Sequence, residues 1–166
     1  LGQDTAMRDL LLASGLAIFN PQRQSHYDAM RDRVIFPEAQ ADARYMAVAL
    51  ALSQRGRGRT GYNPNVGCII VKNGIIVGRG WTQPGGRPHA EAMALEQAGT
   101  AAKGADIYAT LEPCAHKSER GPTCADLLVA AQPARVIVAT LDIDQRTRRQ
   151  GIDRLGDAGI AVSVGV

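Results

Sequence analysis

The chain has 166 residues, 45% of them hydrophobic and 21% charged, which gives room for one globular domain with a real core and none for a second full domain. A net charge of +3 and an aromatic content of 4% argue against a nucleic-acid footprint, which needs a basic stripe or a row of stacking platforms. Three cysteines, an odd number without disulfide-like density, point to reduced thiols in a cytoplasmic protein rather than a secreted scaffold.

Residues 1–41 read as an N-terminal extension without a chemical cluster, broken at Asn20-Pro21 and Phe36-Pro37. Its apolar run, Leu10 to Phe19, is too short to cross a bilayer, and Asp4 and Asp9 spoil a signal peptide, so no membrane is expected as partner. His26 stands alone there and reads as a solvated or capping histidine rather than a ligand. The first residue is Leu, which suggests a fragment, a processed chain or an unusual start.

From Asp42 the domain proper begins, 42–166. Tyr45, Met46, Val48, Ala49, Leu50 and Leu52 form a broad apolar face and predict a helix to about Gly56. Val66–Val71 and Ile75–Gly80 are β-branched runs joined through Asn73-Gly74, the pattern of an antiparallel hairpin. Pro88 opens a helix to about Ala98, Ala105–Thr110 is a strand, and Cys124–Ala131 a helix. Arg135–Thr140 is a buried strand, Thr147–Ala158 a helix stopped by Gly159, and Ile160–Val164 the last strand. Strand–helix–strand repeats demand parallel neighbours and right-handed crossovers, so the expected fold is a three-layer α/β/α sandwich on a five-stranded mixed sheet with the hairpin at its antiparallel edge. No glycine-rich phosphate loop or nucleotide fingerprint occurs.

Chemistry concentrates at three places. His89 and Glu91 open the second helix of the domain, Cys114 follows a strand, and Cys124 starts the next helix. One imidazole and two thiolates are the borderline-soft set of a catalytic Zn2+, which keeps its fourth position for water. All three lie at or just before helix N-termini, where free N–H groups favour thiolate. Glu91, two residues after the histidine, is better placed to move protons than to bind metal.

His-Ala-Glu followed by Pro-Cys and a second cysteine is similar to the zinc-deaminase signature His-x-Glu…Pro-Cys-x-x-Cys, except that nine residues, rather than two, separate Cys114 from Cys124. Together with Asn63-Pro64-Asn65-Val66-Gly67-Cys68, Gly80-Trp81, Thr110-Leu111-Glu112-Pro113-Cys114-Ala115-His116 and Gly121-Pro122-Thr123-Cys124-Ala125-Asp126, it resembles the deaminase domain of riboflavin biosynthesis, a branch of the cytidine-deaminase superfamily, from about Asp42 to the C-terminus. The resemblance implies the cytidine-deaminase-like fold, bound zinc, and hydrolytic removal of the 2-amino group of 2,5-diamino-6-ribosylamino-4(3H)-pyrimidinone 5′-phosphate, with Glu91 as the proton shuttle. It also implies substrate contacts from Asn63 and His116, a basic phosphate contact from Lys117 or Arg120, a ribose contact from Asp142, and self-association.

The chain departs from the family at Thr82, where a histidine is frequent, and at Asp142-Ile143-Asp144, where Asp-Pro-Asn is usual. Many bacterial members continue into a nicotinamide-dependent reductase; the chain is expected to be monofunctional or cut at that boundary, and no nicotinamide is expected to bind. Cys68 alternates with apolar neighbours and reads as core, although as a fourth ligand it would close the site. Trp81 reads as packing, and Arg146, Arg148 and Arg149 as a solvated helix face. The competing readings are a deaminase of guanine, cytidine or transfer-RNA adenosine, and a noncatalytic structural zinc module.

Overall fold

The computed structural model describes residues 37–116, 121–144 and 147–166, with side chains from residue 40 onward. The Leu10–Phe19 run, His26, Lys117, Arg120 and Arg146 lie outside the described residues. Five strands, β1 (Gly67–Lys72), β2 (Ile75–Trp81), β3 (Asp106–Ala109), β4 (Arg135–Val138) and β5 (Ala161–Val164), form one sheet in the order β2-β1-β3-β4-β5. β1 pairs antiparallel with β2 and with β3, while β3–β4 and β4–β5 are parallel, so the sheet is mixed as expected. Asn73 and Gly74 turn the β1–β2 hairpin with φ of 52° and 77°, the left-handed pair that a two-residue turn requires.

Among the described residues four α-helices cover the sheet: α1 (Pro37–Ser53), α2 (Ala90–Ala98), α3 (Cys124–Ala131) and α4 (Gln150–Asp157). Alternation along the strands separates two cores. Cys68 and Ile70 of β1, Ile107 of β3 and Val136 and Val138 of β4 face α2, α3 and α4, while Ile69, Val71, Tyr108 and Ile137 face α1. Among the described residues no helix is long and apolar enough to cross a membrane.

α1 departs from the sequence reading at both its start and its face. It begins at Pro37, five residues before Asp42, because proline is tolerated in a first turn whose N–H groups have no helical partner. Its buried side is the stripe of Asp42, Met46, Ala49 and Ser53 with Leu52, whereas Val48 and Leu50 are exposed. At 3.6 residues per turn those two point away from the sheet, so the apolar face is narrower than composition suggests. α2 lies so close to β2 that a Cβ on Gly80 would stand 2.0 Å from Ala90 O. The backbone contact seats the start of α2 directly on the hairpin.

A partly buried polar staple ties α1 to β3 and β4. The Asp42 carboxylate accepts from Tyr108 Oη at 2.6 Å and from Arg135 Nη1 and Nη2 at 2.8 and 2.9 Å, and Arg135 also reaches Asp106 Oδ2 at 2.9 Å. Burial by itself raises the Asp42 carboxyl, but the hydrogen bonds from Arg135 and Tyr108 outweigh it and hold the group below its ordinary 3.8. A depressed folded-state value stabilises the fold above the unfolded value and the contribution is lost as pH falls through the folded one. Asp42→Asn is therefore expected to cost about 2 kcal/mol at pH 7, less than a fully buried pair because Arg135 keeps some solvent. The deficit should shrink below pH 3.8. Urea denaturation at pH 7 and pH 3 checks this; an equal deficit at both refutes it.

Candidate metal centre

His89 stands at the N-cap of α2 in extended conformation and makes no side-chain capping bond, so its ring is left for other work. Pro88 does not open the helix as its sequence position suggests: His89 after it is the extended N-cap, and the helix starts two residues later at Ala90. Cys114 leaves the end of β3 on the stretch that begins where the Glu112 N–H donates to Thr140 O at 2.9 Å. Cys124 is the first residue of α3, whose N-cap Thr123 accepts from Asp126 N at 3.1 Å. Its own N–H points at Cys114 Sγ, 3.4 Å away.

These elements bring the three predicted ligands together. His89 Nδ1 lies 3.6 Å from Cys114 Sγ and 3.3 Å from Cys124 Sγ, and the three ligand atoms fall within 4.8 Å of one another. Zinc–sulfur bonds of about 2.3 Å and a zinc–nitrogen bond of about 2.0 Å in a tetrahedron put N and S donors about 3.5 Å apart, so the donor set and its spacing fit that ion. His89 Nε2 is buried and has no partner among the described residues, which marks Nδ1 as the ring atom turned to the sulfurs. Neither Cys68 nor His116 joins the group. Cys68 is fully buried in the core beneath α2, as its alternation implied.

The electrostatics suit a cation. The hydrogen bond from Cys124, with help from His89 and the Cys124 N–H, outweighs burial and pushes the Cys114 thiol down to about 4. The same contact pushes the Cys124 thiol up, since without an ion one sulfur must keep the shared proton. The contact with Cys114 raises His89. Glu91, 3% exposed in the first turn of α2, has its carboxyl raised, chiefly by burial. A divalent ion would reverse this logic and leave both sulfurs as thiolates.

Residues 39–140 match the family described as the cytidine and deoxycytidylate deaminase zinc-binding region. The chain belongs to this deaminase family. The riboflavin biosynthesis protein RibD of Escherichia coli strain K12 is 54% identical over 125 residues, 75% of this chain and 34% of that protein. The form 2 structure of Acinetobacter baumannii RibD superposes with a TM-score of 0.75 at 46% identity, covering 78% of this chain and 36% of that one. A deoxycytidylate deaminase from cyanophage S-TIM5 matches with a TM-score of 0.56 at 26% identity over 78% of this chain and 99% of its own. The chain thus spans about a third of the length of the RibD relatives it matches. The five-stranded mixed sheet with its helices is the cytidine-deaminase-like fold.

Around this deaminase centre the other predicted residues fare differently. Asn63 lies on the turn closed by Thr60, whose Oγ1 donates to Asn63 O at 2.6 Å, and its side chain rests on Gly86, where a Cβ would come 2.1 Å from Asn63 Nδ2. That places it against the segment leading into His89. His116 is exposed just beyond Cys114. Asp142 is already engaged inside its own turn, accepting from Asp144 N at 3.0 Å and Thr147 Oγ1 at 2.9 Å. Thr82, the departure from the family histidine, is buried and accepts the Val66 N–H at 3.0 Å, so it closes the end of the hairpin. Trp81 packs with Arg55 above its ring at 4.9 Å, consistent with a packing role. Arg148 and Arg149 are exposed, but Arg149 precedes α4 in left-handed conformation and the helix starts at Gln150, three residues later than Thr147.

The residue that sequence reasoning passed over is Glu112. Its side chain is buried, and its oxygens accept from the N–H groups of Asp142 at 3.1 Å, Arg149 at 2.9 Å, Gly151 at 3.0 Å and Ile152 at 3.5 Å. A carboxylate between Leu111 and Pro113 has no periodicity to mark it, and the only available signal was its place in the string that resembles the riboflavin deaminases.

Proposed function

We propose that this domain removes the 2-amino group of 2,5-diamino-6-ribosylamino-4(3H)-pyrimidinone 5′-phosphate hydrolytically, with zinc held by His89, Cys114 and Cys124. The observation that carries the reading is the convergence of one imidazole nitrogen and two sulfurs within 4.8 Å, beside a buried carboxylate and without a fourth protein ligand among the described residues. The riboflavin-biosynthesis names of the relatives support this choice of substrate within the family. Bound zinc supplies Lewis acidity that ionises water near neutral pH.

The chain's own residues do the rest. Glu91, in the first turn of α2, receives a proton from water as the hydroxyl adds to the ring carbon and delivers it to the adjacent ring nitrogen. It then takes the proton of that added hydroxyl and passes it to the amine, so that the carbonyl forms as the carbon–nitrogen bond breaks and ammonia leaves. Burial favours its protonated form, which suits a group that must hold a proton between two steps. Asn63, braced on Gly86, orients the ring from the segment before His89, and His116 contacts the substrate from the far side of Cys114. Lys117 or Arg120 neutralises the phosphate, and Asp142 borders the ribose.

Ammonia release from zinc-loaded protein tests the assignment against guanine and cytidine. The phosphoribosyl pyrimidine is expected to be the preferred amine by at least about 10³ in kcat/KM, since a site built for polar groups discriminates strongly against substrates lacking them. Turnover of guanine or cytidine with none of the phosphoribosyl pyrimidine would overturn it.

A further inference from the structure

Glu112 lies two residues before Cys114, and the groups it holds belong to the backbone of the β4–α4 connection and of the first turn of α4. Three of its partners, the N–H groups of Arg149, Gly151 and Ile152, are donors at or near the start of α4, where helical partners are lacking. Arg149 stands at the N-cap with φ 73° and makes no side-chain capping bond. Glu112 therefore caps α4 from another element, its negative charge set against the positive end of the helix. The fourth partner, the Asp142 N–H, fixes the other end of the connection.

The seating is backbone on backbone. A Cβ on Gly151 would stand 1.9 Å from Pro113 O, so α4 presses directly on the peptide that carries Cys114. Asp142 then holds its own turn through Asp144 N and Thr147 Oγ1. One carboxylate consequently registers the metal-ligand peptide, the Asp142 turn and the start of α4 as a single body.

We infer that Glu112 is a positioning residue that sets where the Asp142 turn stands relative to Cys114 and thereby the fit of the substrate, an inference that rests on the deaminase reading above. The test uses the full zinc-loaded chain with Glu112→Gln, an isostere that keeps one acceptor oxygen and turns an NH2 group toward N–H donors. KM for the phosphoribosyl pyrimidine is expected to rise about tenfold with kcat within about threefold, because the loss falls on binding geometry rather than on the proton relay. Zinc stoichiometry should not change. Amide hydrogen exchange at 142, 149, 151 and 152 should accelerate by about tenfold or more as their acceptor is lost.

Unchanged exchange at those amides, or a fall in kcat and zinc content with KM constant, would overturn the assignment. If Glu112→Gln does not fold, Thr147→Val removes the hydroxyl that donates to Asp142 Oδ2 and Asp144 O within the same turn, and a KM that stays at the wild-type value there would overturn it equally. Should wild-type protein release no ammonia, the deaminase reading is what fails, and the exchange measurement still decides for or against the latch.

Discussion

Glu91→Gln will reduce ammonia release by about 10²–10⁴-fold while zinc content stays at the wild-type level. Glutamine has the same shape, so the first turn of α2 and the direction of His89 beside it are kept, and Glu91 is outside the three-atom ligand group. What is lost is a group able to take and return a proton. The same substitution should raise the stability of the metal-free protein at pH 7. The Glu91 carboxyl is raised above its ordinary 4.5, so its favourable contribution is present below that value and is lost as pH rises through the folded-state value. Glutamine carries no such loss, and the variant should melt higher than wild type in chelator at pH 7 and alike at pH 4. Full activity in the variant would remove Glu91 from the mechanism; a lower metal-free melting temperature would show that its burial is compensated by the site.

Cys124→Ser will abolish stoichiometric zinc and with it the zinc-dependent part of thermal stability. A serine hydroxyl at neutral pH is neither soft nor ionised, and its loss strikes a ligand, so affinity should fall by more than the about 10–100-fold that outer contacts are worth. In wild type, free zinc at about a thousand times its Kd adds about 4 kcal/mol to folding, and this increment should vanish in the variant. Cys114 will behave in the same way. Cys68→Ala is the control: its sulfur lies in the core outside the ligand group, so it should retain zinc. Elemental analysis with melting curves in zinc and in chelator reads all three, and zinc binding by Cys124→Ser equal to that of wild type would dissolve the proposed centre.

The acid sensitivity of Asp42 and the zinc dependence at Cys124 come from opposite ends of the strands. Asp106 and Arg135 open β3 and β4, whereas Cys114 and the Asp142 turn follow the exits of the same strands. The fold thus keeps its staple and its chemistry apart, and the two classes of variant should be separable by experiment: additive in stability, since distant sites couple little.

The elements were legible because their signals are local. Asn73-Gly74 imposes positive φ on the hairpin wherever it occurs, strand alternation sends Ile69 and Ile70 to opposite cores, and Thr123 before Cys124 is a helix start in any context. Where local signals conflict, the reading slipped. Val48 and Leu50 looked like core and are exposed, Pro88 looked like a first helical residue and precedes the helix, and Thr147 looked like a helix start and lies in the preceding turn.

The amino-acid order by itself determined which side chains were available to a metal, His89, Cys114 and Cys124, and that a carboxylate, Glu91, stood beside the first of them. Only the tertiary structure decided that residues 25 and 35 positions apart meet at 3.6 and 3.3 Å, that Nδ1 is the ring atom they share, and that Asp142 is held within its own turn. Spacing along a chain governs contacts within one turn or one hairpin. Contacts across strands and helices depend on sheet pairing and on backbone approaches such as Gly80 on Ala90 and Gly151 on Pro113, which no periodicity encodes.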